Sequence, residues 1–177
     1  MSEVVIIHCD NYEYDKVKSA INRGLEYLGG VQRFARADER ILLKPNLLAA
    51  DPPERCVTTH PAVFAAVAEA FIQHGVYLTY GDSPGFGSLS KAARKSGLAG
   101  VAGDLSIEAG NFEVGERITF AAGKQNKSFV IAQAAARAEG IISLPKLKSH
   151  ALTTLTGAIK NQFGCIPGFL KGEYHAK

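Results

Sequence analysis

The sequence predicts an α/β layered domain: a mostly parallel sheet flanked by helices, with a small β-rich annex around residues 100–132. Three observations carry this expectation. Four short apolar runs, at residues 4–7, 41–43, 76–80 and 141–144, are rich in β-branched and aromatic residues, and turn residues come directly after three of them. That is how strands buried on both faces read. Helical periodicity falls between the runs, and strand alternating with helix is the pattern of a parallel sheet. Finally, 177 residues at 46% hydrophobic and 21% charged make one domain with enough apolar mass for a core.

The first run, VVII, is expected as the first strand. Asp15 is placed to cap a helix whose apolar positions are Val17, Ile21, Leu25 and Leu28, and Gly29-Gly30 stop it. After the second run, Pro61 suits the first turn of a helix that turns Val63, Phe64, Val67, Ala70 and Phe71 inward and stops at Gly75. His60 reads as a residue of that helix's cap region and His74 lies near its end. A third helix is expected over residues 89–95, and a fourth begins near Leu152, with Leu155, Ile159 and Phe163 continuing its stripe. Residues 97–132, rich in Gly and Ala with short alternating stretches, read as a hairpin or small β annex.

Several function classes are disfavoured. No apolar run approaches the ~20 residues of a membrane helix. The N-terminus has no basic n-region and reaches His8 and Asp10 too soon for a signal peptide, so the cytoplasm is the expected compartment. The net charge is only +3, there is no Trp, and no basic cluster is interleaved with aromatics, so neither nucleic acid nor membrane is an expected partner. Cys9, Cys56 and Cys165 form no CxxC pair, which leaves metal ligation by this chain alone without support and the thiols reduced.

The polar residues immediately after the strand runs carry the chemistry. After 41–43 comes Lys44-Pro45-Asn46; after 76–80 comes GDSPGFGS, carrying Asp82 and Ser83; after 141–144 comes PKLKSH, carrying Lys146, Lys148 and His150. Strands of an open parallel sheet end on one edge, and ligands bind in the crevice there. Each cluster alone reads equally as a polar loop. Pro45 sets Lys44 at the last strand position with its ammonium at the rim. The glycine-rich turn offers backbone N–H groups to an anion, with Asp82 placed either to ligate Mg²⁺ or to orient a lysine. Lys146, Lys148 and His150 alternate and so point one way if extended. Lys160 lies on the next helix with Gly157 leaving space beside it, and Asn161, Gly164 and Pro167-Gly168 punctuate its exit. Clustered ammonium groups suit a carboxylate or phosphate and depress one another's pKa, the route by which a lysine becomes a base.

The stretches ILLKPNLL, TTHPAVFAAV, GDSPG and above all LPKLKSHALTTLTGAIKNQFGCIPG resemble the domain of unknown function 362 family, over about residues 41–171. Where that family's LPKxKTH core has Thr, this chain has Ser149, which keeps the hydroxyl. The family is uncharacterised as a class. The resemblance implies a longer protein, of which residues 1–177 are expected to be one α/β domain from the N-terminal portion. Ferredoxin-like cysteine motifs accompany many members. This chain carries none, so 4Fe–4S clusters are expected only from family regions outside it.

The expectation is therefore a small anionic metabolite or cofactor held at the sheet edge, in a protein that is a candidate redox-linked enzyme. Asp82, His150 and Lys148 are the catalytic candidates. Lys44, Asn46, Ser83, Lys146, Lys160 and Asn161 are the binding candidates, and no metal ligand is assigned. The rival expectation is a non-catalytic docking module whose basic segment meets an acidic ferredoxin-like domain.

Overall fold

A computed structural model describes residues 3–151, 153–168 and 170–176. Strand β1 (Arg40–Pro45) lies inside a four-stranded sheet and is buried from Ile41 onward. β2 (Tyr77–Tyr80) pairs with it on one side, and β3 (Glu108–Ala109) adds to β2. The sheet order is β3-β2-β1-β6, all parallel, where β6 (Gly140–Leu144) is reached after an antiparallel hairpin of β4 (Gly115–Thr119) and β5 (Ser128–Ala132). The register Lys44↔Ser143 and Leu43↔Tyr80 brings the ends of the three longer strands together at one edge.

Both faces of β1 are covered, as its uninterrupted apolar run requires. Ile41 and Leu43 join a core with Phe64, Val67 and Phe71 of α2 (Pro61–Gln73), against which Ile21 and Leu25 of α1 (Tyr14–Tyr27) pack. Leu98 and Ala102 of α4 (Leu98–Asp104) and Ala92 and Ala93 of α3 (Leu89–Lys95) complete that layer. Leu42 points to the opposite face, onto Phe112, Ala132, Cys165 and Ala135, the last of these from α5 (Gln133–Ala136).

The parallel sheet, the Pro61 helix and the helix at residues 89–95 stand as expected. Gly29, with φ +94°, and Gly30, with φ +83°, end α1 by donating their N–H groups back to Glu26 and Leu25 carbonyls. Other expectations are corrected. Residues 4–7 form no helix or turn and pair with no strand among the described residues, and Val4 and Ile6 are 82% and 92% exposed. The N-cap of α1 is Glu13; Asp15 lies in the first turn, where its carboxylate faces the positive helix end. The annex begins with a helix, α4, before its hairpin.

The helix expected from Leu152 gives way to a second hairpin, β7 (Lys148–His150) with β8 (Thr154–Thr156), and helix α6 covers only Ala158–Gln162. Leu152 itself lies outside the described residues. β-Branched Thr156 favours the pleat, whereas Thr154 turns into β8 at φ +61°, and Gly157, at φ −153°, precedes the helix. Leu155 and Ile159, expected on a buried stripe, are 58% and 92% exposed. The chain then turns through a short 3₁₀ segment, Phe163–Cys165, into α7 (Leu170–Ala176). No helix among the described residues is long and apolar enough to cross a membrane.

Candidate functional site

β1 carries Lys44 into the end of the sheet, where its neighbour strand β2 delivers Asp82 just beyond its last residue. The Lys44 ammonium lies 2.8 Å from Asp82 Oδ1, and the two side chains are 0% and 5% exposed. This is an ion pair set off the hydrogen-bonding direction of that oxygen. Lys44 donates instead to the Pro45 carbonyl at 3.0 Å and to Asn161 Oδ1 at 3.3 Å, while Asp82 Oδ2 accepts the Leu47 N–H at 2.6 Å. Burial pushes the Asp82 carboxyl up, and the Lys44 charge pulls against it. The expectation of an ammonium at the rim is thus corrected: Lys44 is under the floor, because Asp82 and Asn161 meet it there.

Asn161 closes the pair from α6. Its amide donates to the Lys44 carbonyl and to Ser143 Oγ, both at 3.0 Å, which ties α6 to β1 and β6. Gly164 roofs it. A Cβ at that position would collide with the Asp82 carboxylate and sit 2.7 Å from Lys44 Nζ. Gly164 is therefore required by close approach rather than as helix-exit punctuation; the left-handed exit residue is Gly168, at φ +48°.

Above this floor lies a cleft of about 620 Å³, lined by Asn46, Asp82, Ser83, Lys148, His150, Lys160, Asn161 and Lys171 among others. Lys148 donates to Asn46 Oδ1 at 2.8 Å and to the Val57 carbonyl. Burial pulls its ammonium pKa down against the opposing pull of Asp82 and Asp51. Lys160 stands 4.9 Å from the centre of the Phe163 ring, and burial lowers its pKa as well. Lys171 donates to the Ser83 carbonyl and, at 2.9 Å, to that of Pro84. Burial pushes Lys171 down to about 8, with Lys44 and Lys160 repelling it and Asp82 opposing the shift. His150 Nδ1 accepts the Thr153 N–H at 3.3 Å. Among the described residues lining the cleft, Asp82 is the one carboxylate.

Seven of the nine expected site residues thus line one cleft, and Lys44 lies beneath it. Lys146 is elsewhere. Its ammonium donates to Tyr12 Oη at 2.9 Å, beside the stacked rings of Tyr12 and His60, 3.9 Å apart. Alternation with Lys148 and His150 therefore does not put it on their side. His60 is the N-cap of α2, accepting the Ala62 N–H at 3.1 Å. In the glycine-rich turn, four of the N–H groups expected to face an anion are already engaged. Gly81, Ser83, Gly85 and Phe86 donate their N–H groups to the Leu43, Gly164, Leu48 and Leu48 carbonyls. Asp82 takes the second of its expected roles and orients a lysine. Sequence reasoning missed Lys171, which comes after a Pro-Gly turn and carries no spacing signal, and Gly164's role, which depends on a contact between distant segments. Cys9 and Cys56 are exposed and Cys165 is buried; among the described residues no group of three or more His, Cys, Asp or Glu is arranged to hold a metal ion.

A family model described as domain of unknown function 362 matches residues 41–177. The chain belongs to the DUF362 family. All of the cleft residues fall inside the matched DUF362 region. The chain is also similar to the thylakoid-associated protein sll1697 of Synechocystis, 36% identical over 178 residues, which is 99% of this chain and 54% of that protein. It therefore spans about half the length of that relative. No solved structure matches it.

Proposed function

We propose that the cleft binds a small anionic metabolite or cofactor carrying more than one negative charge, at the carboxyl edge of the sheet. The supporting observation is the gathering of Lys148, Lys160 and Lys171 above a Lys44–Asp82 pair that already uses the cleft's one carboxylate. Asp82 neutralises one ammonium, so the remaining positive charge attracts a ligand that supplies the balance. In this reading Lys148 and Lys171 hold and orient the anion. Lys160 approaches it from α6, and His150 is the proton carrier at the mouth. The Lys44–Asp82 pair is the fixed field beneath. The reading fits a redox-linked or acid–base enzyme of the cytoplasm, with any 4Fe–4S cluster supplied by another domain, since this chain's cysteines do not form a ligand set.

The test is calorimetric titration with inorganic phosphate, pyrophosphate and citrate. Lys148→Met and Lys160→Met should each weaken binding roughly ten- to hundredfold, the loss of one charge-assisted contact of about 1.5–3 kcal/mol. Binding that survives both substitutions unchanged would refute the reading.

One observation favours a second reading, a docking surface for an acidic ferredoxin-like domain. Leu147, Leu155 and Ile159, at 72%, 58% and 92% exposure, stand on the same hairpin and helix as Lys148 and Lys160. Neutralising Lys148 and Lys160 together separates the two. Docking predicts salt-sensitive loss of ferredoxin association, and metabolite binding predicts that only the small-anion titration changes.

A further inference from the structure

Val5 and Ile7 line one apolar gap together with Ile141, Ile142 and Ser143 of β6, the last strand in the sheet order. We propose that this gap is the slot for one apolar β-strand, supplied by a stretch such as that by which the longer Synechocystis relative exceeds this chain. The cleft plays no part in it. β6 ends the sheet order, so one row of its backbone N–H and C=O groups has no ladder among the described residues. Natural sheet edges are blunted by charge, proline, bulges or cover. β6 reads GIISL, with none of the first two, and Ile141 is 37% exposed.

On the far side of the gap, VVII at residues 4–7 lies outside any helix or turn and alternates in exposure as a strand does. Val5 and Ile7 face the cavity, and Ile7 reaches the α1 backbone at Gly24, where a Cβ would lie 3.6 Å from Ile7 Cδ1. Val4 and Ile6 point away and are exposed. Between this segment and β6 is a cavity of about 920 Å³, walled by Val5, Ile7, Ile21, Leu25, Val67 and Ile142. The Tyr12 contacts with Lys146 and His60 hold the residues just beyond this segment against the β6 exit, so its position is fixed without a ladder.

A strand-like apolar segment held beside an open edge, with an apolar gap between, is a sheet with one strand withdrawn. A small lipophile would fill the cavity but leave both rows of backbone groups unpaired, at the cost of burying them unsatisfied. A strand satisfies β6 on one side and residues 4–7 on the other. The length is at hand: the Synechocystis relative has nearly as much chain again beyond the matched part.

Amide hydrogen exchange read by mass spectrometry, on this 177-residue chain and on the full-length Synechocystis protein, tests the inference. In this chain, peptides covering residues 4–7 should exchange at nearly unstructured rates and those covering 140–144 should show a fast outward-facing set, while β1 stays slow. In the longer protein the equivalent peptides should both slow by about a hundredfold or more, as interior strands do. Equally fast exchange in the longer protein overturns the inference. So does protection of 140–144 there with residues 4–7 still fast. Protection in the short chain that grows with its concentration also overturns it, because the occupant is then a second copy.

Discussion

Removing the ammonium of Lys44 is the sharpest test of the floor beneath the cleft. Lys44→Met keeps the stem and its packing but leaves Asp82, 3% exposed, with only the Leu47 N–H as a partner. Breaking a buried ion pair from one side costs about 3–5 kcal/mol, because the remaining charge is uncompensated. That is a large part of the ~5–15 kcal/mol that holds a domain folded. The Pro45 carbonyl and Asn161 Oδ1 lose their donor too, which adds to the loss. Urea unfolding of the wild type, Lys44→Met, Asp82→Asn and the double variant gives the coupling. The double variant should be less destabilised than the two single losses added, by about 1–3 kcal/mol.

The pH dependence of the same variants has a definite sign. Burial already raises the Asp82 carboxyl above its unfolded value, and without Lys44 nothing comparable opposes it. The folded state then binds the proton more tightly than the unfolded state. Stability of Lys44→Met should therefore rise as pH falls through the raised folded-state value of Asp82 towards that of the unfolded chain, more steeply than in the wild type. A variant that unfolds within ~0.5 kcal/mol of the wild type, with no such slope, would refute the buried pair and the field it supplies.

Other outcomes rest on the same geometry. Gly164→Ala should destabilise by about 1–3 kcal/mol or more, since its Cβ collides with the Asp82 carboxylate; paired with Asp82→Ala, urea midpoints should show the penalty shrinking. Asn161→Leu leaves the Lys44 carbonyl and Ser143 hydroxyl without their donor, a loss of about 1–3 kcal/mol by chemical unfolding. Sulfate stays a dianion across neutral and alkaline pH, and its affinity should fall as pH rises through about 8, where Lys171 loses its charge. Calorimetry in buffers of different ionisation enthalpy should show proton uptake on binding near that pH, and Lys171→Met should abolish it.

The sheet was legible because β1 and its neighbours are continuous apolar runs, and such runs have few places to go but a covered parallel sheet. Residues 4–7 have the same composition, yet a strand needs a partner, and pairing is not written in the segment itself. Convergence of Lys148 and Asp82 was legible from strand ends sharing one edge. The position of Lys44 was not, since a lysine at a strand end snorkels or pairs according to what faces it, here residues 38 and 117 positions away. The segment from 148 to 162 misled because its apolar spacing suits a helix, while β-branched Thr156 and the anchoring of Lys148 on Asn46 and Val57 favour a hairpin.

Thr59 works like a staple. Its hydroxyl takes the Asn46 N–H at 2.8 Å and gives its own proton to the Leu144 carbonyl at 2.5 Å, and its N–H reaches the Asn46 carbonyl at 3.1 Å. The exits of β1 and β6 are thereby clamped at one spacing. In the proposed function, a ligand of different size would be accommodated at the opposite wall, which the β7–β8 hairpin and α7 line. Under the proposed anion-binding reading, substitutions on that wall should retune which anion fits without disturbing the frame.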